Sequence, residues 1–385
     1  MSVLQTARPS WKTEDLDLFE DEVGKFFSRE LAPHVDKWRE QGVVDRWAWT
    51  KAGEAGLLCM SMPEEYGGVG GNFAYEQIFM EQQSKAGVEG FGAGLHNCIV
   101  APYILHYGTE EQKKRWLPRM ASGELVGAIA MTEPGTGSDL QAVKTTAIKN
   151  GNQYVINGSK TFITNGQTAN IVIIVCKTDP SEGAKGVSLM VVETDEVDGF
   201  ERGRNLKKMG NKAQDTSELF FNDVKVPTEN LLGTDEGQGF YQLMEQLPQE
   251  RHQIAVQAMA TIERALTLTI DYVKDRHAFG RPIMAFQNTQ FVLAECKAKA
   301  TRARVFVDHC TGQLIDGKLD AATASMGKML LTDLCGEIVD KCLQLFGGYG
   351  YMDEYPISRM YTDCRVERIY GGTNEIMKLL IARTL

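Results

Sequence analysis

The sequence predicts a multi-domain α+β chain: an N-terminal α-helical domain over 1–125, a middle β-barrel or sandwich over 126–235, and a C-terminal helical bundle over 236–385. Three observations predict it. The 385 residues are too many for one small core. Apolar residues recur near helical spacing in both end regions. Between them the period shortens to that of strands, and these strands do not alternate with helices, which excludes a Rossmann unit.

In the first region Leu16, Leu18, Phe19, Val23, Phe26 and Phe27 recur near helical spacing with charges between them. Pro63-Glu-Glu-Tyr-Gly-Gly-Val-Gly-Gly71 breaks the pattern as a loop, and Glu110 to Met120 resumes a helix. In the second region Tyr154-Val-Ile-Asn-Gly, Ile171-Val-Ile-Ile-Val, Val187-Ser-Leu-Met-Val-Val and Leu219-Phe-Phe read as strands. They are short, β-branched or aromatic, and bounded by turn residues, so a Greek-key arrangement is expected. In the third region Ile254, Ala258, Ile262, Leu266 and Ile270 form a long stripe, with Pro248 expected at the first helical position. Gln290 to Leu314, Ala321 to Leu345 and Asn374 to Ala382 read as further helices. There is no repeat of fixed period and no low-complexity segment.

Composition narrows the function. Hydrophobic residues are 43% and charged residues 24%, as in ordinary globular chains. A net charge of −10 with no Lys/Arg cluster argues against nucleic acid. The eight cysteines stand singly with no C-x-x-C, against a disulfide framework or a zinc ribbon. They read as buried thiols in a reducing compartment, with Cys335 and Cys342 on one helix face. The start lacks a charged leader followed by an apolar run, and leaves little room for a transit peptide. The longest apolar run, Ile171 to Cys176, is too short to span a bilayer. A cytoplasmic protein without membrane insertion is the expectation. No metal is expected, because the six histidines form no cluster or H-E-x-x-H pair. A P-loop and a nucleophile elbow are absent, and Gly135-Thr-Gly-Ser-Asp139 lacks the third glycine of a dinucleotide fingerprint. Organic redox chemistry or a binding role remains.

Met131-Thr-Glu-Pro-Gly-Thr-Gly-Ser-Asp139 resembles the flavin-contacting segment of acyl-CoA dehydrogenases. Four further segments agree in order and spacing: Thr161-Phe-Ile-Thr-Asn-Gly166, Asp275-Arg-His-Ala-Phe-Gly280, Leu345-Phe-Gly-Gly-Tyr-Gly350 and Tyr370-Gly-Gly-Thr-Asn-Glu-Ile376. Pro63-Glu-Glu-Tyr-Gly-Gly also matches the family, and the resemblance runs from about residue 13 to the end. It implies a four-helix bundle in the last region and FAD as cofactor. On the family's pattern Ile129, Met131 and Thr132 line the isoalloxazine, and Phe162 and Thr164 sit against it. Phe162 stands where the family often has Trp. Gly137 and Ser138 approach the pyrophosphate and the acyl-CoA, where side-chain-free backbone allows close contact. Arg276, Phe279, Gln287, Gln344 and Gly348 reach the FAD of a neighbouring subunit, and Thr373 and Glu375 meet the adenosine half.

The family reaction removes an α proton with a carboxylate while the β hydrogen leaves as hydride to the flavin. Many members carry that Glu directly after the Tyr of the last motif, where this chain has Gly371. Long-chain and isovaleryl types carry it near the start of a long helix instead, and Leu247-Pro-Gln-Glu-Arg251 matches that place. Glu250 is therefore the expected base. The bland alternative is a first-turn Glu facing the helix dipole. Arg251 is expected to help hold CoA, and the Gly371 N–H to bind the thioester carbonyl. The long-chain branch is the most similar, which implies fatty-acid β-oxidation, an electron-transfer flavoprotein as acceptor, and a homotetramer. Branched or terpenoid acyl groups, a flavin oxidase or oxygenase of the same superfamily, and an FAD-retaining binding protein remain open.

Overall fold

The computed structural model describes residues 3–385. The N-terminal part is helical: α1 (Glu14–Phe26), α2 (Val35–Gln41), α3 (Arg46–Glu54), α4 (Phe73–Ala86), α5 (Ala93–Leu95), α6 (Ala101–Tyr107) and α7 (Glu110–Ala121). Local chemistry sets the ends. Thr13 caps α1 by accepting from the Leu16 N–H, and Thr109 with Gln112 forms a capping box at the start of α7. A π-helical turn, His96–Val100, joins α5 to α6.

Seven strands follow in one sheet: β1 (Gly127–Ala130), β2 (Thr146–Asn150), β3 (Gln153–Thr164), β4 (Ile171–Lys177), β5 (Val187–Glu193), β6 (Phe200–Asn205) and β7 (Thr216–Pro227). All four expected strands form. The order is β1-β4-β2-β3-β7-β6, with β5 also paired to β4. The sheet is mixed: β1 runs parallel to β4, Gly127 facing Ile171 and Ala130 facing Ile174. An all-antiparallel Greek key would have no such pair. Every residue of β4 and β5 is buried, as their unbroken apolar runs require when both faces are covered.

The chain then returns to helix: α8 (Gly239–Asp275), the hairpin β8 (His277–Ala278) and β9 (Arg281–Pro282), α9 (Gln287–Ile315), α10 (Ala321–Leu345), α11 (Pro356–Asp363) and α12 (Asn374–Ala382). Helix α8 packs against α10, α9 and α4, and α12 packs against α10. The expected start of α8 needs correction. Pro248 is not its first residue but lies inside a helix of 37 residues. Proline there removes one ladder hydrogen bond and crowds the preceding turn. Tertiary packing overrides that penalty, because the preceding turns bury Leu243 completely between helix and sheet.

Three large apolar cores and a small one on Leu16, Ala74 and Ile78 result among the described residues. The first joins both helical parts, with Trp49 and Phe79 packed in the same cluster as Val256, Ile262, Leu331 and Ile338. The second joins Tyr103, Trp116 and Leu117 to one sheet face through Ile171, Ile173 and Val175. The third lies under the opposite face, on Val172, Ile174, Val192 and Phe221. All eight cysteines are buried free thiols. No described helix is long and apolar enough to cross a membrane.

Candidate active site

A cavity of about 270 Å³ opens where α8, the α5–α6 segment, β3 and the segment before α12 meet. Ile129, Met131, Thr132, Phe162, Thr164, Glu250 and Gly371, all expected from the sequence, line it. Three separate parts of the chain therefore converge on one space.

Backbone strain shapes the sheet side. The pairing of β3 with β7 shifts register between Lys160 and Ile163, and within that bulge Phe162 takes φ +61°. Left-handed backbone costs a non-glycine residue about 1–2 kcal/mol, and bulges re-aim side chains. Here the result is an aromatic ring left 67% exposed at the cavity wall. The facing segment is held from below. The buried Lys160 ammonium donates to the Met131 and Val175 carbonyls at 3.1 and 2.6 Å and pairs with Glu133 at 2.9 Å. Glu133 in turn accepts from the Lys144 and Thr145 N–H groups, and the Thr161 N–H donates to the Thr132 carbonyl. The edge from Ile129 to Thr132 is thus fixed before any ligand arrives.

The helical side carries the carboxylate. Glu250 is the twelfth residue of α8, so the dipole of the helix N-terminus does not explain it. It is buried, and burial pushes its carboxyl up to about 7, against a Tyr103 hydrogen bond and the Arg251 charge that both lower it. The Tyr103 hydroxyl donates to Glu250 Oε1 at 2.7 Å, while Oε2 has no partner among the described residues. Sequence reasoning missed Tyr103. Nothing local marks it, because it lies 147 residues from its carboxylate.

Gly371 lies across from that turn. Its φ is +62°, and a β-carbon there would sit 2.3 Å from Ile254 Cδ1, one turn beyond Glu250. A side chain at 371 would need left-handed backbone and a shift of the Ile254 methyl. The Gly371 N–H has no acceptor among the described residues. The small residues Gly92 and Gly94 serve close packing rather than room. A β-carbon on Gly92 would meet Asn165 Oδ1 at 2.0 Å, and one on Gly94 would meet Gln253 Nε2 at 3.0 Å.

Other expected residues lie elsewhere. Arg251 is buried, donates through Nη1 to Ser325 Oγ at 3.3 Å and does not line the cavity. Gly137 and Ser138 are on an exposed loop, with open space where a Gly137 β-carbon would be. Arg276, Phe279, Gln287, Gln344 and Gly348 are exposed and outside the lining. Arg276 lies over the Tyr349 ring at 5.6 Å, which brings the β8–β9 hairpin beside the end of α10. Phe279 sits at φ +52° and is 95% exposed. Thr373 caps α12 by accepting from Ile376 N–H, and Glu375 is exposed beside it.

These features fit a planar, phosphate-bearing cofactor. An aromatic ring and a fixed backbone edge face one cavity, and on the exposed loop that follows this edge in the chain Gly135 and Gly137 have open space where a β-carbon would be, room for phosphate oxygens to approach the backbone.

Comparison with known proteins agrees along the whole chain. Residues 13–124, 128–224 and 237–385 match the N-terminal, middle and C-terminal domains of acyl-CoA dehydrogenase. The chain is 47% identical to the mitochondrial long-chain specific acyl-CoA dehydrogenase of Mus musculus over 96% of this chain and 86% of that protein. An acyl-CoA dehydrogenase structure from Geobacillus kaustophilus superposes with a TM-score of 0.95 at 47% identity, covering 98% of this chain and 99% of that one. A Mycobacterium smegmatis glutaryl-CoA dehydrogenase in complex with FADH2 gives 0.89 at 27% identity, covering 97% and 95%. With three successive domain matches and a shared fold, this chain belongs to the acyl-CoA dehydrogenases, a family of FAD-dependent oxidoreductases.

Proposed function

We propose that Glu250 is the base of this enzyme's α,β-dehydrogenation, and that its substrate is a long-chain fatty acyl-CoA. The observation that carries the reading is a buried carboxylate raised to about 7, in the wall of the cavity that Phe162 and Gly371 also line. A desolvated carboxylate with a pKa near the working pH is a strong yet available base. The thioester carbonyl accepts from the Gly371 N–H, and the polarised carbonyl acidifies the α-carbon. Glu250 Oε2 takes the α proton while Tyr103 holds Oε1, which fixes the carboxylate's direction. FAD, when bound, supplies the two-electron acceptor that takes the β hydrogen as hydride. Ile129, Met131, Thr132, Phe162 and Thr164 hold its ring, and Gly137 and Ser138 receive its pyrophosphate.

Arg276, Phe279, Gln287, Gln344 and Gly348 serve the FAD of a neighbouring subunit in a homotetramer, with Thr373 and Glu375 at the adenosine. An aromatic as exposed as Phe279, held on strained backbone outside its own cavity, supports that assignment. Electrons leave to an electron-transfer flavoprotein in fatty-acid β-oxidation. Eight unbridged thiols suit a reducing compartment, and we place the enzyme in the cytoplasm.

The test mixes wild type and Glu250→Gln anaerobically with palmitoyl-CoA and follows the flavin spectrum. Bleaching of wild type, with binding but no bleaching in the variant, is the expected result. A variant that bleaches at the wild-type rate removes Glu250 as base. A wild type that stays oxidised removes the long-chain substrate.

A further inference from the structure

Gly371 and Gly372 stand in succession on left-handed backbone, at φ +62° and +86°. Glycine loses more conformational freedom on folding than any other residue, so two in a row do not by themselves hold a backbone N–H in one direction. Ties on either side of the pair do. Before it, the Tyr370 N–H donates to the Val366 carbonyl at 3.1 Å. After it, Lys328, on α10, donates from Nζ to the Gly372 carbonyl at 2.8 Å and to Asn374 Oδ1 at 2.9 Å. Asn374 returns to α10 through Nδ2, which donates to Thr332 Oγ1 and to Asp333 Oδ1, each at 3.0 Å. Between the two ties Gly371 lines the cavity, and its N–H has no acceptor among the described residues.

Stability alone does not account for Lys328. The residue is wholly buried, and both acceptors of its ammonium are neutral oxygens. It forms no ion pair among the described residues. Burial pushes the ammonium down to about 8, against the more distant charges of Glu367 and Asp333. An ion taken out of water without a close counter-ion costs several kcal/mol, and an apolar side chain of similar volume avoids that cost. The ammonium also sits at the N-terminal end of α12, where the helix dipole disfavours a cation. What it gains there is a hold on one carbonyl, next to the N–H that faces the reacting space.

We infer that Lys328 is a positioning residue of the reaction: its ammonium fixes the Gly372 carbonyl, and through it the direction of the Gly371 N–H that receives the thioester oxygen. The inference rests on the reading of Gly371 given above and adds to it a residue on a different helix. Lys328 does not line the cavity, so it acts through the glycine backbone and not on the substrate. A donor aimed beforehand at the oxygen where charge develops needs no reorganisation when the α proton leaves.

The test binds cinnamoyl-CoA to oxidised holoenzyme, because absorption by a conjugated thioester moves to the red as its carbonyl accepts a stronger hydrogen bond. Wild type should red-shift the ligand, and Lys328→Met should lose most of that shift while still binding it. Lys328→Gln keeps a neutral donor and should recover part of the shift. Anaerobic flavin reduction by palmitoyl-CoA should slow in Lys328→Met by about ten- to a hundredfold in kcat, with KM changed much less; a misplacement of ~1 Å costs as much. A Lys328→Met protein that melts lower yet keeps the full red shift shows a merely structural lysine and overturns the inference, leaving Gly371 as the donor. A wild type that gives no red shift overturns the reading of Gly371 and the inference with it. If Lys328→Met does not retain FAD, Lys328→Gln decides: a reduced shift supports the inference and a full one overturns it.

Discussion

Removing the Tyr103 hydroxyl tests how the carboxylate is tuned. In Tyr103→Phe, Glu250 Oε1 loses the donor that holds it at 2.7 Å. That hydrogen bond favours the charged form, opposing the burial that raises the carboxyl to about 7. A hydrogen bond to a charged group contributes about 1.5–3 kcal/mol. At 1.36 kcal/mol per pH unit, its loss moves the carboxyl further up by about 1–2 pH units. The ionised fraction at pH 7 then falls about 5- to 50-fold. Stopped-flow flavin reduction across pH gives the acid limb of kcat/KM, which reports the free enzyme. The limb should move to higher pH, and the deficit should close at alkaline pH. A limb that stays in place, or an equal loss at every pH, would refute the reasoning and leave Tyr103 a packing residue.

Other outcomes follow from the same geometry. The Glu250 carboxyl is raised from 4.5 to about 7 on folding, so the folded state binds its proton more tightly. Stability is then lost as pH rises through that window, by about 3 kcal/mol. Glu250→Gln should melt higher than wild type at pH 8 and equally at pH 4; the same offset at both values contradicts this. Gly371→Ala adds a β-carbon 2.3 Å from Ile254 Cδ1 on backbone at φ +62°. Denaturant unfolding should show a loss of at least ~1 kcal/mol from the left-handed conformation, and Ile254→Val should recover only the contact part. Lys160→Met removes the ammonium that pairs with buried Glu133 and holds the Met131 carbonyl. A loss of about 3–5 kcal/mol and weaker FAD retention are expected; Glu133→Gln added to it should restore part of the stability, and a further loss instead would count against the pairing.

Much of this architecture can be read from residue pattern, and the exceptions have physical causes. β3, β4, β5 and β7 contain β-branched and aromatic residues that mark strands without help. β1, Gly-Ala-Ile-Ala, and β6, Phe-Glu-Arg-Gly-Arg-Asn, contain small or charged residues whose pairing comes from neighbours. Pro248 misled because a local rule about helix starts met a core that buries Leu243 on the turn before it. In the site, motif residues such as Thr132, Phe162 and Gly371 do share one cavity. Tyr103 and Lys160 were not legible, since each matters through a partner contributed by a distant segment.

The core shared by the first and last helical parts governs how the protein can be made. Trp49 and Phe79 find their apolar partners on α8 and α10, which follow the sheet in the chain. At roughly 5–20 residues per second, translation from α7 to α8 takes on the order of ten seconds. For that interval the early helices leave the ribosome with an uncovered apolar face, while the sheet behind them already has its own core. The nascent chain is therefore most prone to aggregation after its N-terminal third is complete. A truncation that ends with the sheet should need a holdase to stay in solution.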